Sequence, residues 1–373
     1  MSQSIRYKLT GLVGFEFETT GIPGDIVMGI AGEMDGLLKF DHDASSESRV
    51  TWLSSKLALF NNTDQQLPGA VDTTGTELIS LLLYPSEFQS TIWKLFSKLE
   101  MRGEINKSLR SALHFHVGCQ QNLAVIKKAL TFSTKFESLF FQLGGMGYRH
   151  RGEENKMTYC RPMSSPYGPP VVQCSDGYER QVFTVEHLLA SRSVDEFWRL
   201  FQVDPDNPKR YHPCRYFGLN VMALLHHNTL EYRFFNTTLV PQYVIAMMEF
   251  VRGCTEFISV SPPVVIDSFA TETVYQKHDN PKQLETLIST MNPFLEDKIS
   301  LETKRILHRI LEETPQVILK EEYVQTHKWG SWSAAASSMR TRMLPSGVAV
   351  PSGFIDSHQS ESNHMDLTAI ANR

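Results

Sequence analysis

Three segments with strand-like sequence each carry two polar residues at the spacing i, i+2. The pairs are Glu16 and Glu18, His114 and His116, and Glu231 and Arg233. Because successive side chains of a strand point to opposite faces, the two members of each pair project from one face. The residues between them, Phe17, Phe115 and Tyr232, are large and aromatic, which predicts a packed opposite face. Glu77 adds one carboxylate at the start of a further apolar strand.

Together these residues supply four carboxylates, two imidazoles and one guanidinium. Carboxylates are the ligands that Mg²⁺ and Mn²⁺ prefer, and a single imidazole is tolerated among them. A guanidinium offers the planar pair of donors that phosphate oxygens accept. One polar pair would be ordinary on a half-exposed antiparallel sheet, where Glu, His and Arg also form cross-strand ion pairs. The recurrence of the pairs on three apolar strands favours a sheet face that serves metal–nucleotide chemistry.

The usual phosphate-binding loops are missing from the sequence. There is no GxxxxGK[ST] motif, and Gly145 and Gly147 are followed by His150 where a dinucleotide-binding motif requires glycine. Phosphates would therefore have to be held by metal ions and arginines.

The elements that position the polar pairs alternate between strands and helices. Strands are predicted over 12–18, 37–40, 77–83, 113–117, 217–225 and 229–235, with the last two joined as a hairpin through His226, His227 and Asn228. Helices are predicted from a cap at Ser86, over 123–143, from a capping box of Ser193 and Glu196, over 242–260, and as two or three segments within 281–328. The stretch 144–182 is irregular, and long irregular stretches are often functional.

Composition narrows the classes of protein that the chain can belong to. The 373 residues carry a formal net charge of -5, which argues against a nucleic-acid partner. No apolar run approaches the roughly 18 residues that cross a bilayer, so no membrane association is predicted. The five cysteines are widely spaced and form no CxxC, which predicts neither disulfides nor a structural zinc site. We expect a reducing, cytoplasmic compartment.

An ordered set of motifs resembles the amidoligase family, whose relatives are glutamine synthetase and glutamate–cysteine ligase. The motifs are GFEFET (14–19), DHDAS (41–45), TELIS (76–80), ALHFHVG (112–118) and TLEYRFFNTT (229–238). The resemblance covers about residues 10–255. It implies an α+β fold with a curved antiparallel sheet that forms a funnel flanked by helices. It also implies bound ATP and two or three Mg²⁺ ions, with Mn²⁺ as an alternative.

The resemblance assigns roles to the polar pairs residue by residue. Glu16, Glu18, Glu77, His114 and Glu231 match the positions of metal ligands. His114 also matches a position that touches phosphate, and His116 is its partner toward the nucleotide. Glu231 and Arg233 match a pair in which Glu binds metal between phosphates and Arg stabilises the transferred phosphoryl group.

Further candidates lie in the less regular segments. Arg149 and Arg151 precede a Tyr159-Cys160 segment that resembles the family's middle loop, and they are candidates for binding a phosphate or a substrate carboxylate. A charged surface loop explains these two arginines equally well. Arg215 and Asn220 resemble a strand that precedes the Glu231 motif and are predicted to contact the cofactor. Asp43, in a turn that departs from the family pattern, is better explained as a turn cap.

The sequence predicts an organisation in three parts, of which the resemblance covers only the first. Residues 1–255 form an amidoligase-like catalytic domain, 256–334 a C-terminal helical extension packed on it, and 335–373 a flexible tail. The predicted activity is an ATP-dependent carboxylate–amine ligase that forms an amide through an acyl phosphate. Its partners would be ATP, a carboxylate and an amine, on an amino acid, a peptide or a protein. The sequence leaves the oligomeric state of the protein open.

Three other functions remain open from the sequence. A kinase could use the same metal–ATP site with another acceptor. A metal-dependent hydrolase could use His114 and His116 as zinc ligands, although the nearby carboxylates suit a harder ion. A binding module without activity is the last alternative, and the intact set of ligands argues against it.

Overall fold

The computed structural model describes residues 11–20, 34, 60–62, 75–80, 82–100, 112–145, 160, 162–163, 171–172, 181–182, 185–201, 217–316, 341–343 and 349–351. Within these ranges the protein combines helices with an open antiparallel sheet, as the predicted α+β class requires. The predicted strand 37–40, Asp43 and most of the predicted irregular stretch 144–182 lie outside the described residues.

Ten strands are described. They are β1 (Val13–Thr20), β2 (Phe60–Asn62), β3 (Gly75–Ile79), β4 (Ala112–Gly118), β5 (Val171–Val172), β6 (Gln181–Val182), β7 (Leu219–Asn220), β8 (Thr229–Asn236), β9 (Thr341–Met343) and β10 (Ala349–Pro351). The main sheet has the order β2-β3-β1-β4-β8-β7, and all of its neighbouring strands are antiparallel. Of its four longer strands, β1, β4 and β8 carry the three polar pairs predicted from the sequence, and β3 carries Glu77.

The described α-helices are interspersed with these strands and are numbered in chain order. They are α1 (Phe88–Glu100), α2 (Leu123–Leu143), α3 (Val185–Leu189), α4 (Val194–Leu200), α5 (Ala223–His227), α6 (Pro241–Val260), α7 (Pro263–Asp267), α8 (Asn280–Met291) and α9 (Leu301–Glu313). The predicted bounds of α2 are confirmed, and α6 begins one residue before its predicted start, at Pro241. None of the helices in the described ranges has the length and apolar character needed to cross a membrane.

The aromatic face of the sheet packs against α1, α2 and α6. Phe17, Phe115 and Tyr232 are almost fully buried, as the alternation predicts. Phe17 meets the α1 residue Phe96 with ring centroids 5.6 Å apart. Tyr232 lies 5.7 Å from the ring of Phe140 on α2, and its hydroxyl oxygen lies 3.0 Å from Thr255 Oγ1 on α6. This packing holds one face of the sheet rigid and leaves the opposite face to the polar pairs.

A β-bulge in β8 lies at the polar pair of that strand. Leu113 is opposite Phe235 and Phe115 is opposite Tyr232, so β8 holds one extra residue between these two positions. Tyr232 and Phe235 therefore both remain on the packed face although two residues separate them. Bulges of this kind occur often beside functional sites, where they redirect a side chain. Here the bulge falls at Arg233 and Phe234.

The helices after α6 pack on the helices that cover the main sheet. Leu307, Ile310 and Leu311 of α9 are buried in the same apolar core as the sheet helices. Gln142 on α2 donates to the carbonyl of Leu311 at 3.0 Å and accepts from the amide of Asn280 at 2.8 Å. The domain boundary at 255 stays a prediction. Of the predicted tail, the described residues are β9 and β10, which pair with each other.

The hairpin predicted over 217–235 is partly wrong. Only β7 is extended in its first arm, and α5 follows directly before β8. Asn228 ends α5 with φ at 53°, the left-handed conformation that asparagine tolerates at a helix end. Because this segment is buried almost throughout, its apolar run could not distinguish a strand from a buried helix.

Two further predicted boundaries also shift. The strand predicted over 77–83 ends at Ile79, since Ser80 Oγ accepts the N–H of Phe15 at 2.7 Å in place of a backbone carbonyl. The first predicted helix is capped at Tyr84, whose N–H donates to Glu87 Oε2 at 2.8 Å, and Ser86 lies inside the 3₁₀ turn that follows. Ser193 caps α4 as predicted, with its Oγ accepting from the N–H of Glu196 at 3.0 Å.

Candidate functional site

Glu16, His114, His116 and Glu231 meet on the polar face of the sheet, on the neighbouring strands β1, β4 and β8. Glu16 lies directly opposite His114 in the β1–β4 register, and His116 lies directly opposite Glu231 in the β4–β8 register. Antiparallel pairing thus brings together side chains that are up to 215 positions apart in sequence (231 minus 16). We call these four residues and Arg233 the central cluster.

Glu16 is the centre of a hydrogen-bonded group with both histidines. Its Oε2 lies 3.1 Å from His114 Nδ1, and its Oε1 lies 3.1 Å from His116 Nε2. An ionised carboxylate only accepts hydrogen bonds, so each of these ring nitrogens carries the hydrogen in a neutral or charged ring. The two histidines therefore hold the plane of the Glu16 carboxylate across the β1–β4 pair.

Glu231 is held by two donors from its own edge of the sheet. Arg233 NH1 donates to Glu231 Oε1, and the Asn220 amide on β7 donates to Oε2 at 2.5 Å. Asn220 Oδ1 accepts from the N–H of Met222 at 2.9 Å, which fixes the amide so that its NH₂ faces the carboxylate. Glu231 Oε1 also lies 3.8 Å from His114 Nδ1 and 3.9 Å from His116 Nε2.

Both carboxylates of the cluster have lowered pKa values, which favour their ionised forms at neutral pH. Burial raises the pKa of Glu16, but the charge of His116 and the hydrogen bonds from both histidines outweigh it, so its pKa lies well below the usual range. Burial also raises the pKa of Glu231, and the charge of Arg233 followed by that of His116 brings it down to about 2. A buried carboxylate that stays charged requires compensating cations. A divalent metal ion could supply that compensation as well as the basic side chains do.

One group within the described part of the chain has the spacing of a metal site. It consists of Glu16, His116 and Glu231, whose ligand atoms all lie within 4.8 Å of one another. Two ligands on opposite sides of a Mg²⁺ ion lie about 4.2 Å apart, since each bond is about 2.1 Å long. The three ligand atoms would therefore each need to move by less than about 1 Å to surround a Mg²⁺ ion. Two carboxylates with one imidazole fit Mg²⁺ or Mn²⁺ better than zinc.

Of the other predicted metal ligands, His114 contacts Glu16 but is not in this group, where His116 supplies the imidazole instead. Glu18 and Glu77 lie on the same sheet. They are directly opposite each other in the register of β1 and β3. Glu18 follows Glu16 by two residues, so the β1–β3 pair continues the row of the central cluster toward the sheet edge. Their part in metal binding stays a prediction.

Several predicted site residues lie outside the described residues. These are Arg149, Arg151 and Arg215. Asn220 is described, and its amide contacts Glu231 and Met222. The predicted contact between Asn220 and a cofactor stays a prediction. Cys160 is buried, and among the described cysteines Cys119 and Cys254 are free thiols.

The sequence analysis missed two residues beside the cluster. Thr229 Oγ1 lies 3.1 Å from His116 Nδ1. Thr229 precedes Glu231 by two residues, so the i, i+2 rule could have extended the row to it. The ring of His227 meets the ring of His116 edge to face, with centroids 5.8 Å apart. Sequence alone placed His227 in an exposed hairpin turn, whereas it ends α5 and is half-buried.

No protein-family model matches the chain, and a search of curated proteins finds no similar sequence.

Proposed function

We propose that the protein is an ATP-dependent carboxylate–amine ligase of the amidoligase type. The observation that supports this proposal best is the convergence of ligand atoms of Glu16, His116 and Glu231 within 4.8 Å of one another, with Arg233 bound to Glu231. In this proposal the main sheet forms the floor of a funnel like that of glutamine synthetase and glutamate–cysteine ligase. The substrates are ATP, a carboxylate and an amine carried by an amino acid, a peptide or a protein.

The proposed reaction solves a leaving-group problem. A carboxylate does not react with an amine at neutral pH because oxide or hydroxide leaves poorly. Transfer of the γ-phosphoryl group of ATP to a carboxylate oxygen gives an acyl phosphate and ADP. The amine then attacks the acyl carbon, an amide bond forms, and inorganic phosphate leaves with the former carboxylate oxygen.

The residues of the central cluster have separate tasks in this reaction. Glu16 and Glu231, with Glu18 and Glu77 along the same sheet, hold two or three Mg²⁺ ions, which neutralise charge on the ATP phosphates when bound. His114 and Arg233 stabilise the phosphoryl group as it moves between oxygens. A guanidinium has five N–H donors, so its contact with Glu231 leaves Arg233 able to meet a phosphoryl oxygen as well. His116 faces the nucleotide side of the metal group.

The proposed site lies in a reducing, cytoplasmic compartment. Cys119 and Cys254 are buried free thiols, which suits that setting.

A kinase is the second candidate because it would use the same residues with a different acceptor. The two activities separate in one experiment. Purified protein with Mg²⁺ and ATP is incubated with a panel of carboxylates and amines, and phosphate release and product masses are measured. Phosphate release that requires the amine, together with an amide product, supports the ligase. A stable phosphorylated product without any amine identifies a kinase. ATP-independent turnover with bound zinc would identify a hydrolase and overturn both.

A further inference from the structure

We propose that Thr229 is a positioning residue that sets the tautomer of His116 for metal binding. This inference rests on the proposed function, because it concerns the same metal site. Thr229 is buried, lies at the first position of β8, and places its hydroxyl oxygen 3.1 Å from His116 Nδ1. It shares the polar face with Glu231 and Arg233, which follow it at intervals of two residues.

The two nitrogens of His116 face partners of different kinds. Nε2 faces Glu16 Oε1 at 3.1 Å, and an ionised carboxylate only accepts. In the neutral ring without metal, Nε2 therefore carries the hydrogen, and Nδ1 accepts from the Thr229 hydroxyl. A metal ion at Nε2 requires the lone pair of that nitrogen, so the single ring hydrogen must then be on Nδ1.

Thr229 serves both forms because a hydroxyl donates and accepts. In the metal-bound form, Nδ1–H donates to Thr229 Oγ1, which fixes the ring with Nε2 directed at Glu16 and Glu231. A metal-binding histidine that loses the partner of its other nitrogen binds metal about 10–100-fold more weakly. A valine at 229 keeps the shape of the side chain but removes the hydroxyl, so the buried Nδ1–H of the metal-bound form would lose this partner.

Thr237 provides a matched control on the same strand pair. It is also buried, and its Oγ1 donates to the carbonyl of Ala112 at 2.9 Å at the other end of the β4–β8 ladder. Thr237→Val removes a threonine hydrogen bond of similar burial without touching the central cluster. If Thr229 only ties β4 to β8, both variants should lose stability and neither should change metal binding.

The test measures Mn²⁺ affinity by electron paramagnetic resonance on the full chain, with Mg²⁺ competition and a melting curve for each variant. Thr229→Val should bind Mn²⁺ about 10–100-fold more weakly than the parent protein. Thr229→Ser, which keeps the hydroxyl, and Thr237→Val should bind within about twofold of it. The ¹⁵N shifts of the parent should show that Nε2 of His116 carries a hydrogen without metal and loses it with Mg²⁺, while Nδ1 is protonated in the Mg²⁺-bound form.

Each outcome distinguishes this inference from the proposed function. If the parent binds Mn²⁺ and Thr229→Val binds it equally well, the positioning role is wrong and the metal site stands. If Thr229→Val does not fold, the His116 shifts of the parent still decide: Nδ1 that stays unprotonated with Mg²⁺ overturns the inference. If the parent binds neither Mn²⁺ nor Mg²⁺, the inference and the proposed function are both wrong.

Discussion

Replacement of Arg233 by lysine separates a role in phosphoryl transfer from a role in stiffening the sheet. Arg233 is buried, and its NH1 contacts Glu231 Oε1. Lysine keeps a positive charge that can pair with Glu231, but it lacks the planar fork that can meet a carboxylate and a phosphoryl oxygen together. If Arg233 meets the phosphoryl group mainly as charge spreads in the transition state, its loss lowers kcat more than it raises KM.

The expected size of the effect follows from the buried, preorganised position of the guanidinium. Removal of one such donor lowers kcat by about 100-fold or more, which corresponds to about 2.7 kcal/mol of transition-state stabilisation. The assay measures kcat, KM for ATP and the melting temperature of Arg233→Lys with the substrate pair found in the panel. We expect kcat to fall by that factor while KM changes by less than about threefold.

Arg252→Lys is the matched control for this substitution. Arg252 is also buried, and it donates to Glu256 Oε2 at 3.1 Å and to the carbonyl of Asp297 at 2.9 Å on the helical side of the protein. The Arg252→Lys variant should have a lower melting temperature than the parent protein but an unchanged kcat. Our reasoning is refuted if Arg233→Lys keeps most of its activity and loses only thermal stability, as Arg252→Lys should.

Three further predictions concern other residues of the chain. Glu16→Gln and Glu231→Gln should each abolish Mg²⁺-dependent turnover while circular dichroism remains that of a folded protein, and normal activity of both at ordinary Mg²⁺ would contradict the metal assignment. Tyr232→Phe should lower the free energy of unfolding by about 1 kcal/mol in urea titrations, because it leaves Thr255 without its buried hydroxyl partner; an unchanged midpoint would show that this bond contributes nothing. The hydrogen bond from Lys304 and a further one from His308 lower the pKa of Glu285, so its stabilisation is present above its ordinary pKa and is lost as the pH falls through the lowered one. Glu285→Gln should therefore cost at most about 1 kcal/mol at pH 7, since the site is only half-buried, and nothing once the pH is below the lowered pKa; an equal cost at both pH values would exclude an ionic origin.

The two faces of the sheet could be predicted from sequence because strand side chains alternate with a fixed period. Glu16 and Phe17 point to opposite faces of the sheet, and so do Glu231 and Tyr232, whichever strands pair beside them. The alternation therefore correctly placed Phe17, Phe115 and Tyr232 in the core.

Contacts between strands could not be predicted in the same way. Which residue lies opposite His116 depends on the register of β4 and β8, and the bulge at Arg233 and Phe234 shifts that register by one residue. The contact between the Thr229 hydroxyl and His116 Nδ1 follows from this register. The helical turn of α5 was missed for another reason: the apolar run 217–224 that leads into it is buried throughout, so its apolar character carries no period.

The most direct test of the proposed ligase is the origin of the oxygen in the released phosphate. Purified protein is incubated in ¹⁸O-labelled water with Mg²⁺, ATP and a carboxylate–amine pair that supports turnover, and the phosphate is analysed by mass spectrometry. An acyl phosphate transfers a carboxylate oxygen to phosphate, so we predict one unlabelled phosphate for each amide formed. Phosphate that carries solvent ¹⁸O, released without an amide, would show that ATP is hydrolysed by water and would contradict the proposed ligase.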